Sequence, residues 1–213
     1  MFGTATKDAA RASQKPAIPP DDNVRAMPAT DGLERIEERL TVLCAQQGNR
    51  AAFSRLVDLY DRRLLYFIHR ILGEADGDLD VLQSVWLNVH RHLGKLKSPD
   101  AFRVWLYRIA HDQAVTELRR QSRWPLPVGD VEITQAGDDA RLDTAAFDNA
   151  ELVHKAMHDL SFDHRRVLTL RFLEDMSIEE IAAVTGQSSG TVKSRLHYAK
   201  HALRCRIEEL TDA

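Results

Sequence analysis

Five bases fall between Thr191 and Arg206 (Lys193, Arg195, Lys200, Arg204 and Arg206), and no acid interrupts them. Cationic side chains at helical spacing, interleaved with short hydroxyl side chains, provide what a nucleic acid takes from a protein. They offer charge to phosphates and hydrogen bonds to base edges. The preceding residues explain how such a helix would be held. Ser177 and Glu180 form an S-x-x-E capping box that starts a short helix. Ile178, Ile181, Ala182 and Val184 give that helix an apolar face, and Gly186 suits a left-handed turn. Ser188 or Ser189 then caps a second helix whose inner face is Val192 and Leu196. Its outward face is expected to carry Ser189, Thr191, Lys193, Ser194, Arg195, His197 and Lys200. A short helix, a glycine turn and a longer basic helix make a helix-turn-helix, with the second helix in the major groove. An ordinary helical hairpin with a solvated basic face would not need these three features to coincide.

Other reactive residue types fall into no working pattern. His197, His201 and Cys205 share one helix face at i, i+4 and i+8, which would suit zinc, but they read as incidental on a helix occupied otherwise. His154 and His158 repeat the spacing with no third ligand. There is no nucleophile–base pair, phosphate-cradling glycine loop, metalloprotease motif or calcium-loop spacing. The chain is therefore read as a non-enzyme with no metal or other cofactor.

The elements that must position the basic helix are also helices. Apolar stripes run Leu33, Ile36, Leu40, Leu43, with Asp31 as the expected cap; then Phe53, Leu56, Tyr60, Leu64, Phe67, Ile71, closed by Gly73. A third runs Leu79, Leu82, Trp86, Val89, Leu93, Leu96. Gly48-Asn49 separates the first two, and Ser98-Pro99-Asp100 forms a loop before a helix from about Phe102 to Arg120, which buries Leu106, Ile109 and Leu118. Further on, Leu152, Ala156, Leu160, Val167, Leu168 and Phe172 resume the pattern. The expected class is all-α, with two small helical domains joined by a flexible acidic linker, the C-terminal one a helix-turn-helix. The expected bounds are a disordered extension over 1–32, a first domain over 33–123, a linker over 124–148 and a second domain over 149–213.

Of the 213 residues, 29 are Lys or Arg and 32 Asp or Glu, a formal charge of −3. That total argues against a general nucleic-acid binder, but the charge is uneven. Between Trp124 and Glu151 seven acids face one base, so that stretch is −6 and the remainder +3. No apolar run reaches the roughly 20 residues of a membrane helix, and the first residues lack the apolar core of a secretory signal. A cytoplasmic location without membrane insertion is expected. Cys44 and Cys205 suggest no disulfide framework.

Residues 160–207, with GTVKSRL at Gly190–Leu196, closely resemble region 4 of sigma factors of the extracytoplasmic-function (ECF) type. AAFSRLVDLYDRRLL (Ala51–Leu65), DVLQSVWLNVHRHL (Asp80–Leu93) and FRVWLYRIAHDQAVTELRR (Phe102–Arg120) resemble region 2 of the same family. The resemblance implies an alternative sigma factor in which region 2 docks on the β′ clamp helices of core RNA polymerase and opens the −10 promoter element. Region 4 would sit on the β flap and read the −35 element. An anti-sigma protein is a further partner the resemblance implies.

The core-binding face would be Asp80, Gln83, Ser84, Leu87, Asn88 and Arg91, on the side away from Leu82, Trp86 and Val89. The −10 contacts would come from Arg103, Tyr107, Arg108, His111, Asp112, Arg119 and Arg120, while Phe102 and Trp105 pack inside. Two positions depart from the family pattern. Ser84 stands where an acid is usual, which would weaken docking. Asp112 stands where Asn is common and implies an unusual −10 preference. Two rival readings are a polymerase-independent helix-turn-helix regulator and a sigma-like interaction protein that does not initiate.

Overall fold

The computed structural model describes residues 29–73, 77–121 and 150–212. Among them every regular element is helical: α1 (Ala29–Gln46), α2 (Arg50–Leu72), α3 (Asp78–His92), α4 (Phe102–Gln121), α5 (Ala150–His158), α6 (Phe162–Leu168), α7 (Ile178–Thr185) and α8 (Ser189–Thr211). The 1–28 part of the expected extension and the whole 124–148 linker lie outside the described residues. Residues 37–213 belong to one compact unit, and the residues before it contribute the first turns of α1.

Local chemistry sets the helix boundaries. Gly48 (φ 85°) breaks the chain after α1, and Asn49 caps α2 by accepting a bond from Ala52 N at 3.1 Å. Gly73, at φ 68°, closes α2 as expected. Pro99 opens a single 3₁₀ turn that leads into α4. After α6 the chain widens into a π-helical turn, Thr169–Leu173, before α7.

The stripe Leu56, Tyr60, Leu64, Phe67 and Ile71 of α2 is buried, and Phe53 is partly so. It packs on α3 and α4. Tyr60, Phe67, Phe102 and Tyr107 meet edge-on in the core, with ring centroids 5.7, 6.5 and 5.3 Å apart along the Tyr60–Phe102, Tyr60–Tyr107 and Phe67–Tyr107 pairs. Each such pair is worth about 0.5–1.5 kcal/mol beyond its buried area. Trp86 packs against this core and donates its indole N–H to Asp61 Oδ1 at 2.9 Å. In the C-terminal half, α8 packs on α5, α6 and α7.

Several expectations at the edges need correction. Asp31 lies inside α1 and does not cap it, because the helix begins at Ala29. The α1 stripe Leu33, Ile36, Leu40 and Leu43 is exposed, and Val42 and Ala45 are the buried positions. Leu79 is exposed as well, and Val81 and Val85 fill the α3 core in its place. Phe172 faces outward, since the π-helical turn shifts the face presented after Leu170.

Candidate nucleic-acid and polymerase interface

The reading helix is held as its sequence requires. Ser177 Oγ accepts Glu180 N at 3.1 Å, and Glu180 Oε2 accepts Ser177 N at 2.8 Å, a complete capping box at the start of α7. Gly186 is left-handed, at φ 68° and ψ 26°. Of the two candidate serines it is Ser188 that caps α8, accepting Thr191 N at 3.1 Å. Val192, Leu196, Ala199 and Leu203 form the buried seam of α8. Ser189 and Lys193 are exposed, and Thr191, Ser194, His197 and Lys200 are half-buried on its flanks.

Arg195 departs from the expected outward face. Only 12% of its side chain is exposed, and its guanidinium lies 3.4 Å from Asp163 of α6, which also pairs with Arg166 at 2.7 Å. Arg195 sits three residues after Val192 and one before Leu196, at the edge of the seam, so α6 is within its reach. In this structure its charge clamps α8 to α6 and does not point at solvent.

On α3 the expected face is open. Asp80, Gln83, Ser84, Leu87 and Arg91 are exposed, and Asn88 is partly so. Its Oδ1 lies 2.9 Å from His92 Nδ1. Leu87 stands out, half exposed among polar neighbours.

The α4 set divides in two. Arg108, Asp112, Arg119 and Arg120 are exposed, and Arg120 is tied to Glu117 through bonds of 2.8 and 2.6 Å. The Arg120 and Gln121 side chains pull the Glu117 carboxyl down to about 2. The other members point into protein. Arg103 donates to the Glu174 carbonyl at 2.9 Å and to both Glu180 carboxylate oxygens at 3.1 and 3.3 Å. Tyr107 is fully buried, and its ring belongs to the aromatic core, so it is corrected from surface contact to core residue. His111 is also buried. Arg166 donates to its Nε2 at 3.0 Å, and Nδ1 faces Asp112 Oδ1 at 3.2 Å. That pair of contacts fits a neutral ring with its hydrogen on Nδ1. Burial is the main cause that lowers the His111 pKa; Arg166 lowers it further, and Asp112 opposes.

The partners of these α4 residues, Glu174, Glu180 and Arg166, were not read from the sequence as site residues, and Arg63 was not either. Glu174 is only 3% exposed, 2.7 Å from Arg63 of α2, and burial pushes its carboxyl up despite that arginine. Its place just after the π-helical turn gives no periodic signal, and only the capping role of Glu180 is legible in the sequence.

Two family models match the chain: Sigma-70 region 2 over residues 56–123 and Sigma-70 region 4 over residues 150–203. The RNA polymerase sigma-H factor of Pseudomonas aeruginosa is 34% identical over 84% of this chain and 97% of its own length. The chain belongs to the ECF-type family of RNA polymerase sigma factors. The ECF sigma-E factor of Escherichia coli K12 is 30% identical over 83% of this chain and 97% of its own. Among solved structures, CnrH in complex with the cytosolic domain of CnrY matches with a TM-score of 0.55 and 26% identity, over 82% of this chain and 97% of that one. The sigma factor RpoE of Bartonella quintana, crystallised with the anti-sigma factor NepR, has the same fold, with a TM-score of 0.53 and 22% identity over 73% and 96% of the two chains. This ECF sigma factor is thus an alternative sigma factor for transcription initiation, a family of initiation factors that are not enzymes. No helix among its described residues is long and apolar enough to cross a membrane.

Proposed function

We propose that this sigma factor binds core RNA polymerase through the open face of α3 and recognises promoter DNA through α8 upstream and α4 downstream. Asp80, Gln83, Ser84, Leu87, Asn88 and Arg91 would meet the β′ clamp helices, and the C-terminal half would meet the β flap. Ser189, Thr191, Lys193, Ser194, His197 and Lys200 would face the −35 element, with Arg195 joining them only if it leaves Asp163. Arg103, Arg108, His111, Asp112, Arg119 and Arg120 would serve the −10 element. The N-terminal domain over 33–123 and the C-terminal domain over 149–213 act as separate modules on the polymerase, joined by the 124–148 linker. The polymerase performs the chemistry, in the cytoplasm, and the sigma factor contributes binding energy alone. CnrH was solved with the cytosolic domain of CnrY and RpoE with the anti-sigma factor NepR, which supports an anti-sigma protein as a regulator of this chain too.

The observation that carries the reading is the capped α7–Gly186–α8 unit combined, in one chain, with an exposed leucine among polar residues on α3. The test is co-elution of the full-length protein with sigma-free core polymerase. Wild type should co-elute, and Leu87→Asp, a substitution at a solvent-facing site, should weaken binding at least tenfold, or about 1.4 kcal/mol. Absence of wild-type binding by a folded protein would favour the polymerase-independent regulator.

A further inference from the structure

The α2–α4 face and the C-terminal helices are held together by charge. Arg63 meets Glu174 at 2.7 Å, Arg103 reaches both the Glu174 carbonyl and the Glu180 carboxylate, and Arg166 donates to His111 at 3.0 Å. Two of the seven α4 residues read as downstream contacts, Arg103 and His111, are covered in this way. The outward side chains of α8 are not: Lys193 and Ser189 remain exposed. Beneath this contact the Tyr107 hydroxyl is buried beside the Glu174 carboxylate without an aligned hydrogen bond, while Glu174 Oε2 is held by Arg63.

We propose that Glu174 and Glu180 form an intramolecular latch. The two carboxylates occupy arginines of the α2–α4 face where nucleic-acid phosphates would otherwise bind, and they must release before α4 takes single-stranded DNA. The latch acts on the downstream contact alone and leaves α8 free to meet duplex DNA. An acid that satisfies Arg63 and Arg103 intramolecularly is displaced by a polyanion offering the same charge at higher density. The role of α4 in this proposal rests on the function proposed above, whereas the closure itself does not.

The native cysteines allow a direct test on the full chain. Cys44 is exposed on α1 and Cys205 is partly exposed on α8, so spin labels on both report the separation of the two halves by pulsed dipolar spectroscopy. Wild type should give a narrow distance distribution. Glu174→Gln with Glu180→Gln should broaden and lengthen it, and should raise affinity for a twenty-nucleotide oligo-dT at least fivefold. Glu179→Gln makes a like charge change at an exposed neighbour and should do neither. If the double variant does not fold, Arg63→Glu opens the same contact from a half-exposed position, and adding Glu174→Arg should close it again. Unchanged distances in the double variant or in Arg63→Glu overturn the latch. Opened distances without a gain in oligo-dT binding uphold the closure and overturn the reading of α4.

Discussion

Helix α8 buries a single seam, Val192, Leu196, Ala199 and Leu203, against α5, α6 and α7, and keeps Ser189 and Lys193 exposed near its start. Helix α4 is covered on two sides: α2 and α3 take Phe102, Leu106, Tyr107 and Ala114, and the C-terminal half takes Arg103 and His111. The two helices carry similar residue types and were expected to serve the same kind of ligand. Each packs on three other helices, so what separates them is where their polar residues fall. Outside the seam α8 keeps Lys193 exposed and gives up Arg195 to Asp163, whereas α4 has Arg103 and His111 enlisted by residues of the C-terminal half before any ligand arrives.

The most severe way to break that comparison is at Tyr107. As a core ring it should cost about 3–5 kcal/mol when replaced by Ala, read from urea unfolding of the full chain. Tyr107→Phe keeps the ring and removes a hydroxyl that lacks an aligned partner, so it should cost less than about 1 kcal/mol. If Tyr107→Ala proved nearly neutral, the ring would not be core and α4 would be as open as α8.

The same distinction explains what could be read in advance. The α7–α8 unit is specified by short-range signals: a serine with a glutamate three residues on, a glycine at the turn, a serine cap and a seam of period 3.6. Each acts within a few residues and needs no tertiary knowledge. The α2 stripe was legible for that reason too. Helix α4 has no single apolar face, because its polar residues answer a second partner more than 50 residues away in sequence. Tyr107 and His111 therefore looked like surface residues. Exposure of the α1 stripe and of Leu79 was hidden for the opposite reason, since an apolar period shows which face a helix could bury and not whether a partner covers it.

Gly186 tests whether the α8 arrangement depends on backbone alone. A Cβ added there would meet no atom within 4 Å, yet φ is +68°. Gly186→Ala should thus cost about 1–2 kcal/mol from conformation only. Gly94 also has free space but no left-handed φ, and Gly94→Ala should change stability by no more than about 0.5 kcal/mol. Equal costs at the two sites would mean that the turn does not rely on the left-handed conformation.

Acid titration sharpens the comparison on the α4 side. Burial lowers the pKa of His111, with Arg166 adding to the effect; it also lowers His154, beside Arg70, and His164, near Arg195. A histidine whose folded pKa lies below its unfolded value of about 6.5 contributes stability that is present above that pH. The contribution is lost as pH falls through the depressed folded value. Glu174 has the opposite sign: its raised pKa favours the folded protein at low pH, and that contribution is lost as pH rises. Melting temperature followed from pH 7.5 to 5 should therefore fall less steeply in His111→Gln than in wild type. Parallel curves would mean that His111 is solvated, and that α4 is uncovered.

The mildest prediction concerns Lys193, exposed on α8 and with no role in the seam. Lys193→Ala should leave stability within about 0.5 kcal/mol of wild type, because nothing is buried or unpaired by the change. Its effect should appear only with DNA, in the complex of sigma factor and core polymerase on duplex promoter fragments. A lysine that neutralises one phosphate reduces the slope of log affinity against log salt by about 1 and weakens all sequences alike. If Lys193 instead reads a base edge, the loss would be confined to particular bases in the upstream element and the salt slope would hardly change. Either outcome keeps α8 at the DNA. An unchanged slope together with unchanged sequence preference would put the open helix out of contact, and the contrast with α4 would then describe packing and not recognition.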